Sequence, residues 1–250
     1  SSCAWQKDKS KPSITMPQEA KKRIESMTDE EALISKDYFA KIDRPETAIK
    51  CGQRYLAKSS DQKTCAQVTL DLIDLCIAAQ DFEKAEKYAN DYKTLYPGSA
   101  HLQDACFKEI QASLALINDC ERDQSKTKQT IELANDFLKT FNNSEHINKV
   151  NEALKVCYET LFESERGIIE SYLKRHSLTQ TDHPLKAAEL RIASLKEALF
   201  QNVQSGAARV LDLEIKLAQI QKKDLVVQSK LQELSTKFPE FAAQKSVVAQ

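Results

Sequence analysis

The chain has 250 residues, 29 % of them charged, and a formal net charge of −1, so it lacks the basic excess that draws in polyphosphate, and nucleic acid is not an expected partner. Only four residues are glycine and six are proline. Sheets and phosphate-cradling loops consume glycine where φ must be positive, whereas a helix interior disfavours it by about 1 kcal/mol relative to alanine, so the composition points to helix nearly throughout.

Residues 1–17 carry no hydrophobic period, two prolines and several lysines, which reads as a flexible, solvated tether. From about Gln18 onward the pattern is helical. The spacing predicts a first pair of helices near 28–42 and 45–58, a second near 61–79 and 81–95, and a third near 99–119 and 124–141. The fourth pair opens with a long helix from Ser144 to about Arg175, in which Ile147, Val150, Leu154, Cys157, Leu161, Ile168 and Tyr172 recur on one face. A polar loop, HSLTQTDH at 176–183, should follow, then helices near 184–203, 206–221 and 224–237. No apolar run approaches the roughly 20 residues that span a bilayer.

Sliding the sequence on itself exposes a repeat. YANDYKTLYPGS, from Tyr88, matches LANDFLKTFNNS, from Leu133, at a shift of 45 residues, with Tyr92 on Phe137, Tyr96 on Phe141 and Ala89 on Ala134. A shift of 37 lays Ala48 on Ala85, Gly52 on Ala89 and Tyr55 on Tyr92, and near the C-terminus Phe238-Pro239 stands where the second repeat has Tyr96-Pro97. These spacings straddle the tetratricopeptide period of about 34 residues, and Phe82, Ala85 and Pro97 fall at that consensus's spacings. The expected fold is all-α, a superhelical solenoid of about five tetratricopeptide-like helix pairs, each burying its apolar face on its neighbour.

Motifs for chemistry are missing from the sequence. It has no nucleophile elbow, Walker loop, dinucleotide fingerprint or HExxH, so neither an enzyme nor a cofactor is expected. Seven cysteines occur without CxxC or a Cys/His pair at ligand spacing, so no metal site is expected either, and most of the thiols should be buried and inert. His176, Asp182 and His183 read as a solvated loop, and Asn142-Asn143-Ser144, a glycosylation acceptor by pattern, reads as a helix cap at Ser144. Tyr38, Phe39 and Tyr55 either line a peptide groove or belong to the core. Cys3, after two serines and ahead of the tether, has the setting of an acylated lipoprotein cysteine, with an ordinary terminal thiol as the other reading.

With AQVTLDLIDLCIAAQDFEKAEKYANDYKTLYPGS from Ala66 and EALKVCYETLFESERGIIESYLKR from Glu152, the chain resembles the YfiO (BamD) family of outer-membrane assembly lipoproteins. It departs from the family where AKSSDQKT, from Ala57, replaces a Tyr-Pro turn, and in the helix FKEIQASLAL. The resemblance implies a palmitate-bearing anchor at Cys3 and a place on the periplasmic face of the outer membrane. It implies that residues 18–143 bind unfolded outer-membrane proteins while residues 144–250 dock on a BamA-like β-barrel insertase, with other assembly lipoproteins as further partners. In PLKAAELRIASLKEALF, Leu185, Ala188, Ile192, Leu195 and Leu199 share one face and leave Arg191 at its edge. The resemblance makes Arg191 the contact to an acidic insertase surface; a solvated arginine is the alternative. A soluble periplasmic adaptor of the same fold and a hydrolase with helical decoration are the competing functions.

Overall fold

The structure, a computed structural model, describes residues 15–117, 119–120, 122–198, 200–203 and 205–248. Its described regular elements are helices: α1 (Asp29–Lys41), α2 (Pro45–Leu56), α3 (Gln62–Ala78), α4 (Phe82–Leu95), α5 (Leu102–Ala115), α6 (Ser125–Thr140), α7 (Ile147–Thr179), α8 (Asp182–Ala198), α9 (Gly206–Ile220), α10 (Asp224–Lys237) and α11 (Pro239–Val248), with three short 3-10 turns. The all-α, tetratricopeptide-like reading holds, and consecutive helices pack as pairs. The chain divides into two compact units, one reaching to Ala112 and the other starting at Ser113.

Local chemistry starts these helices. Thr28 accepts the Glu31 N–H through Oγ1 (3.3 Å) while the Glu31 carboxylate accepts the Thr28 N–H (3.0 Å), a reciprocal cap that satisfies two orphan donors at the start of α1. At α3 and α4 the cap is one-way: Asp61 and Asp81 accept the backbone N–H of Lys63 and Lys84. The turn inside a pair is also repeated. Asp43, Gln80 and Lys222 are left-handed, with φ of 60°, 58° and 56°. The residue after each donates its N–H five residues back, from Arg44 to Phe39, Asp81 to Cys76 and Lys223 to Ala218, which ties off the end of the first helix.

The repeat seen in the sequence is present in three dimensions. Tyr92 and Phe137 are buried, and the Tyr92–Tyr96 and Phe137–Phe141 rings stand 5.1 and 5.0 Å apart at interplanar angles of 51° and 48°. Ser99 and Ser144 each accept the N–H two residues on, from His101 (3.1 Å) and His146 (3.2 Å). Ser144 therefore closes the turn before α7 and does not itself begin the helix, as the sequence had suggested. Gly52, in the small-residue position of the first repeat, sits in close packing, since a Cβ there would stand 2.8 Å from Leu72 Cδ2 and force that side chain to shift.

In the C-terminal unit the long helix is 33 residues, roughly 50 Å at 1.5 Å per residue. Its buried stripe changes direction. Val150, Leu154 and Cys157 lie on the expected face, but beyond Leu161 the buried residues are Phe162, Ile169 and Leu173, turned by about 100° from it. Ile168 and Tyr172, expected in the stripe, are only half-buried. The reason is a change of partner: α7 packs on α6 as well as on α8 and α9, and it is Phe162, Ile169 and Leu173 that join Leu185, Ala188, Ile192 and Leu195 of α8 and Val210, Leu213 and Leu217 of α9.

Two further expectations are corrected. The polar stretch 176–179 continues α7, and only Gln180 and Thr181 separate it from α8. Gln180 is left-handed (φ 53°), and the His176 ring Nδ1–H donates to the Thr181 carbonyl (2.6 Å), so a short turn suffices. The stretch resembles a loop in sequence because it is mostly polar, and it is polar because this end of α7 is solvated. At the other end, Phe238-Pro239 does not finish the fold: proline is tolerated at a helix's first position, where its missing N–H is no loss, and α11 starts there.

Candidate docking surfaces

The outward half of α7 carries charged residues that partners on α8 and α9 hold in place. Arg209 of α9 lies over the Phe162 ring (4.1 Å to its centroid), donates to Glu159 (2.7 Å) and pairs with Glu163. Arg166 bridges Glu163 (2.8 Å) and Glu170 (3.2 Å), and Lys216 of α9 reaches Glu170 (2.8 Å). Burial pushes the Glu170 carboxyl up, but Lys216 and Arg166 outweigh it and hold the group below its ordinary value. This ladder fixes α9 along α7.

Arg191, on α8, is part of the same surface. Its Nη1 donates to Glu165 of α7 at 2.6 Å, and its guanidinium lies 5.9 Å from the centroid of the Tyr172 ring. The Glu165 carboxylate holds its pKa above the ordinary arginine value. The side chain is 38 % exposed, so it faces solvent while resting on α7, and it packs on more than the sequence suggested. Leu185, Ala188, Ile192 and Leu195 form the buried face as expected, and Leu199 lies outside the described residues.

Beside Tyr172 a cleft of about 710 Å³ opens between α7 and the α5–α6 connection. Gly167, Ile168, Tyr172 and Arg175 line it from α7, with Cys120 and Arg122 opposite. Sequence reasoning missed this cleft. Its one available signal was Gly167, a glycine in the middle of a long helix in a chain that has four in all.

The expected groove aromatics separate. Phe39 and Tyr55 are core residues, 6 % and 4 % exposed, which corrects their reading as exposed groove residues. Tyr55 occupies the position that Tyr92 holds one repeat later, an inner-face position in each pair. Tyr38 is half-buried and packs edge-on against Phe39 (5.3 Å between centroids, 67°), so it alone of the three offers ring surface to solvent. Cys3 lies outside the described residues. Of the other thiols, Cys51, Cys65, Cys76 and Cys157 are buried, and burial pushes Cys51, Cys76 and Cys157 up to about 11, which makes them poor nucleophiles.

Residues 31–181, from α1 through the end of α7, match the model of the YfiO family, described as outer membrane lipoprotein. The chain belongs to that family. The match contains the cleft and the α7 side of the ladder, while Arg191 and the α9 residues Arg209 and Lys216 lie beyond it. No curated protein matches the chain significantly. Among the described residues, no helix is long and apolar enough to cross a membrane.

Proposed function

We propose that this lipoprotein is a non-catalytic adaptor of outer-membrane β-barrel assembly. Its membership of an outer-membrane lipoprotein family carries the reading, and the stack of helix pairs supports it, because such arrays expose long surfaces suited to holding other proteins. In this reading Cys3 bears the lipid anchor on the periplasmic face and residues 1–17 are the tether. Residues 18–143 hold unfolded outer-membrane proteins, with the half-buried Tyr38 as the aromatic of the groove. Residues 144–250 dock on a BamA-like insertase through Arg191. Binding both partners raises the concentration of substrate at the insertase, and no bond is made or broken.

The Arg191–Glu165 pair gives docking a specific form. Arginine binds a carboxylate bidentately, so an acidic surface on the insertase would add to or replace the single bond from Glu165. Losing one partner of a desolvated interfacial pair costs roughly 2 to 5 kcal/mol. Arg191→Glu should therefore weaken binding of the insertase's purified periplasmic domains. It also sets two carboxylates together on α7 and α8, so the control is the swap Arg191→Glu with Glu165→Arg, which restores the internal pair. The docking assignment predicts that the swap recovers the melting temperature but not the binding. Unchanged binding by Arg191→Glu at low salt, where charges act most strongly, would refute it. For the anchor, each acyl methylene contributes about 0.8 kcal/mol of membrane affinity, so Cys3→Ser should move the protein to the soluble fraction. An unmodified Cys3 in the native protein, found by mass spectrometry, would remove that part of the account.

A further inference from the structure

The mid-helix glycine of α7 has no internal explanation. At Gly167 a Cβ would meet nothing within 4 Å, so packing gives no reason for glycine there, whereas at Gly52 a Cβ would crowd Leu72. Glycine weakens a helix interior relative to alanine, and this one faces the open cleft. A helix point without a Cβ lets another chain's backbone come close. An extended segment can offer backbone N–H and C=O groups at such a point, whereas a helix has those groups tied up internally and comes close only where it too carries a small residue.

The charge around the cleft says what that segment carries. Its lining carboxylates are already neutralised inside the protein, Glu163 by Arg166 and Arg209 and Glu170 by Arg166 and Lys216. Arg122 and Arg175, by contrast, are exposed, and among the described residues neither has a carboxylate partner. The rim is thus positive, and Ile168 and Tyr172 add half-buried apolar surface to the lining. We propose that the cleft over Gly167 receives an extended, acidic segment of a partner protein, whose backbone approaches Gly167 and whose carboxylates pair with Arg122 and Arg175. The cleft adjoins the Arg191 contact at Tyr172, but the proposal does not rest on that docking assignment.

A fluorescein-labelled peptide alternating glutamate and leucine is the probe, with its lysine counterpart and phosphatidylglycerol vesicles as the other arms. The acidic peptide should bind saturably and more weakly as salt rises, and the lysine peptide should not bind. Arg175→Glu should weaken binding about tenfold or more. Gly167→Leu should abolish it. Gly167→Ala should weaken it while raising the melting temperature by about 2 to 4 °C, a combination that damage to the fold cannot produce. Three results would overturn the proposal: no saturable binding of the acidic peptide, binding of the vesicles in its place, or peptide binding that survives both Gly167→Leu and Arg175→Glu.

Discussion

Two glycine-to-alanine substitutions, identical in chemistry and both in helix interiors, should differ in their effect on stability, one a gain and the other none or a loss. Each gains about 1 kcal/mol from helix propensity. At Gly167 the added methyl meets nothing within 4 Å, so the full gain of about 1 kcal/mol should appear. At Gly52 the methyl would lie 2.8 Å from Leu72 Cδ2 and 3.3 Å from Leu72 Cγ, and Leu72 is fully buried and cannot swing away. Overpacking of that kind costs typically 1 to 3 kcal/mol, which offsets or exceeds the propensity gain and leaves Gly52→Ala neutral to about 2 kcal/mol less stable. Urea titrations followed by circular dichroism measure both. The two sites lie in different compact units, so each effect is read from the transition its own variant moves. A clear gain at Gly52, equal to that at Gly167, would refute the close approach of α2 to α3. A loss at Gly167 would refute the open cleft.

The repeat makes its own prediction. Tyr92→Ala and Phe137→Ala should each cost about 3 to 5 kcal/mol, while Tyr92→Phe should cost only about 1 kcal/mol, the worth of its hydroxyl bond to Ser99 (2.6 Å), because Phe137 shows what the position accepts. Losses under about 1 kcal/mol for both alanine variants would show that the two sites are not equivalent. Acid should weaken the C-terminal unit. Burial raises the Glu214 carboxyl, but Lys230 (2.6 Å) and Lys196 (2.9 Å) prevail and hold it below its ordinary 4.5. A depressed carboxylate stabilises the fold above its unfolded value, and that contribution is lost as pH falls below about 4.5. Glu214→Gln should reduce stability at neutral pH and flatten the acid limb of the melting curve; an unchanged limb would contradict the pairing.

Much of the architecture could be read from residue spacing alone. The repeat placed Tyr92 and Phe137 in the core because a helix pair must bury the same face each time, and both sites are buried with matching ring geometry. The same alignment put Tyr55 on Tyr92, so the burial of Tyr55 was legible in the sequence even though its aromatic ring suggested a groove. What spacing could not reveal was a change of partner along one helix. Ile168 and Tyr172 continue the period set by Val150 and Leu154, but the second half of α7 buries the face of Phe162 and Ile169 against α8 and α9. Local pattern records which residues are apolar, and it does not record where the neighbours stand. Glu165 was invisible for the same reason, since its bond to Arg191 joins residues 26 apart in sequence. The cleft escaped because it is defined by side chains that are missing, above all at Gly167.

The proposed function requires that this family member hold an insertase. The most direct measurement is a pull-down of the full-length, affinity-tagged protein from detergent-solubilised outer membranes, with wild type beside Arg191→Glu. The account predicts that a large β-barrel protein with periplasmic domains co-purifies with the wild type and is depleted with the variant. Recovery of the lipoprotein without any β-barrel partner would contradict it.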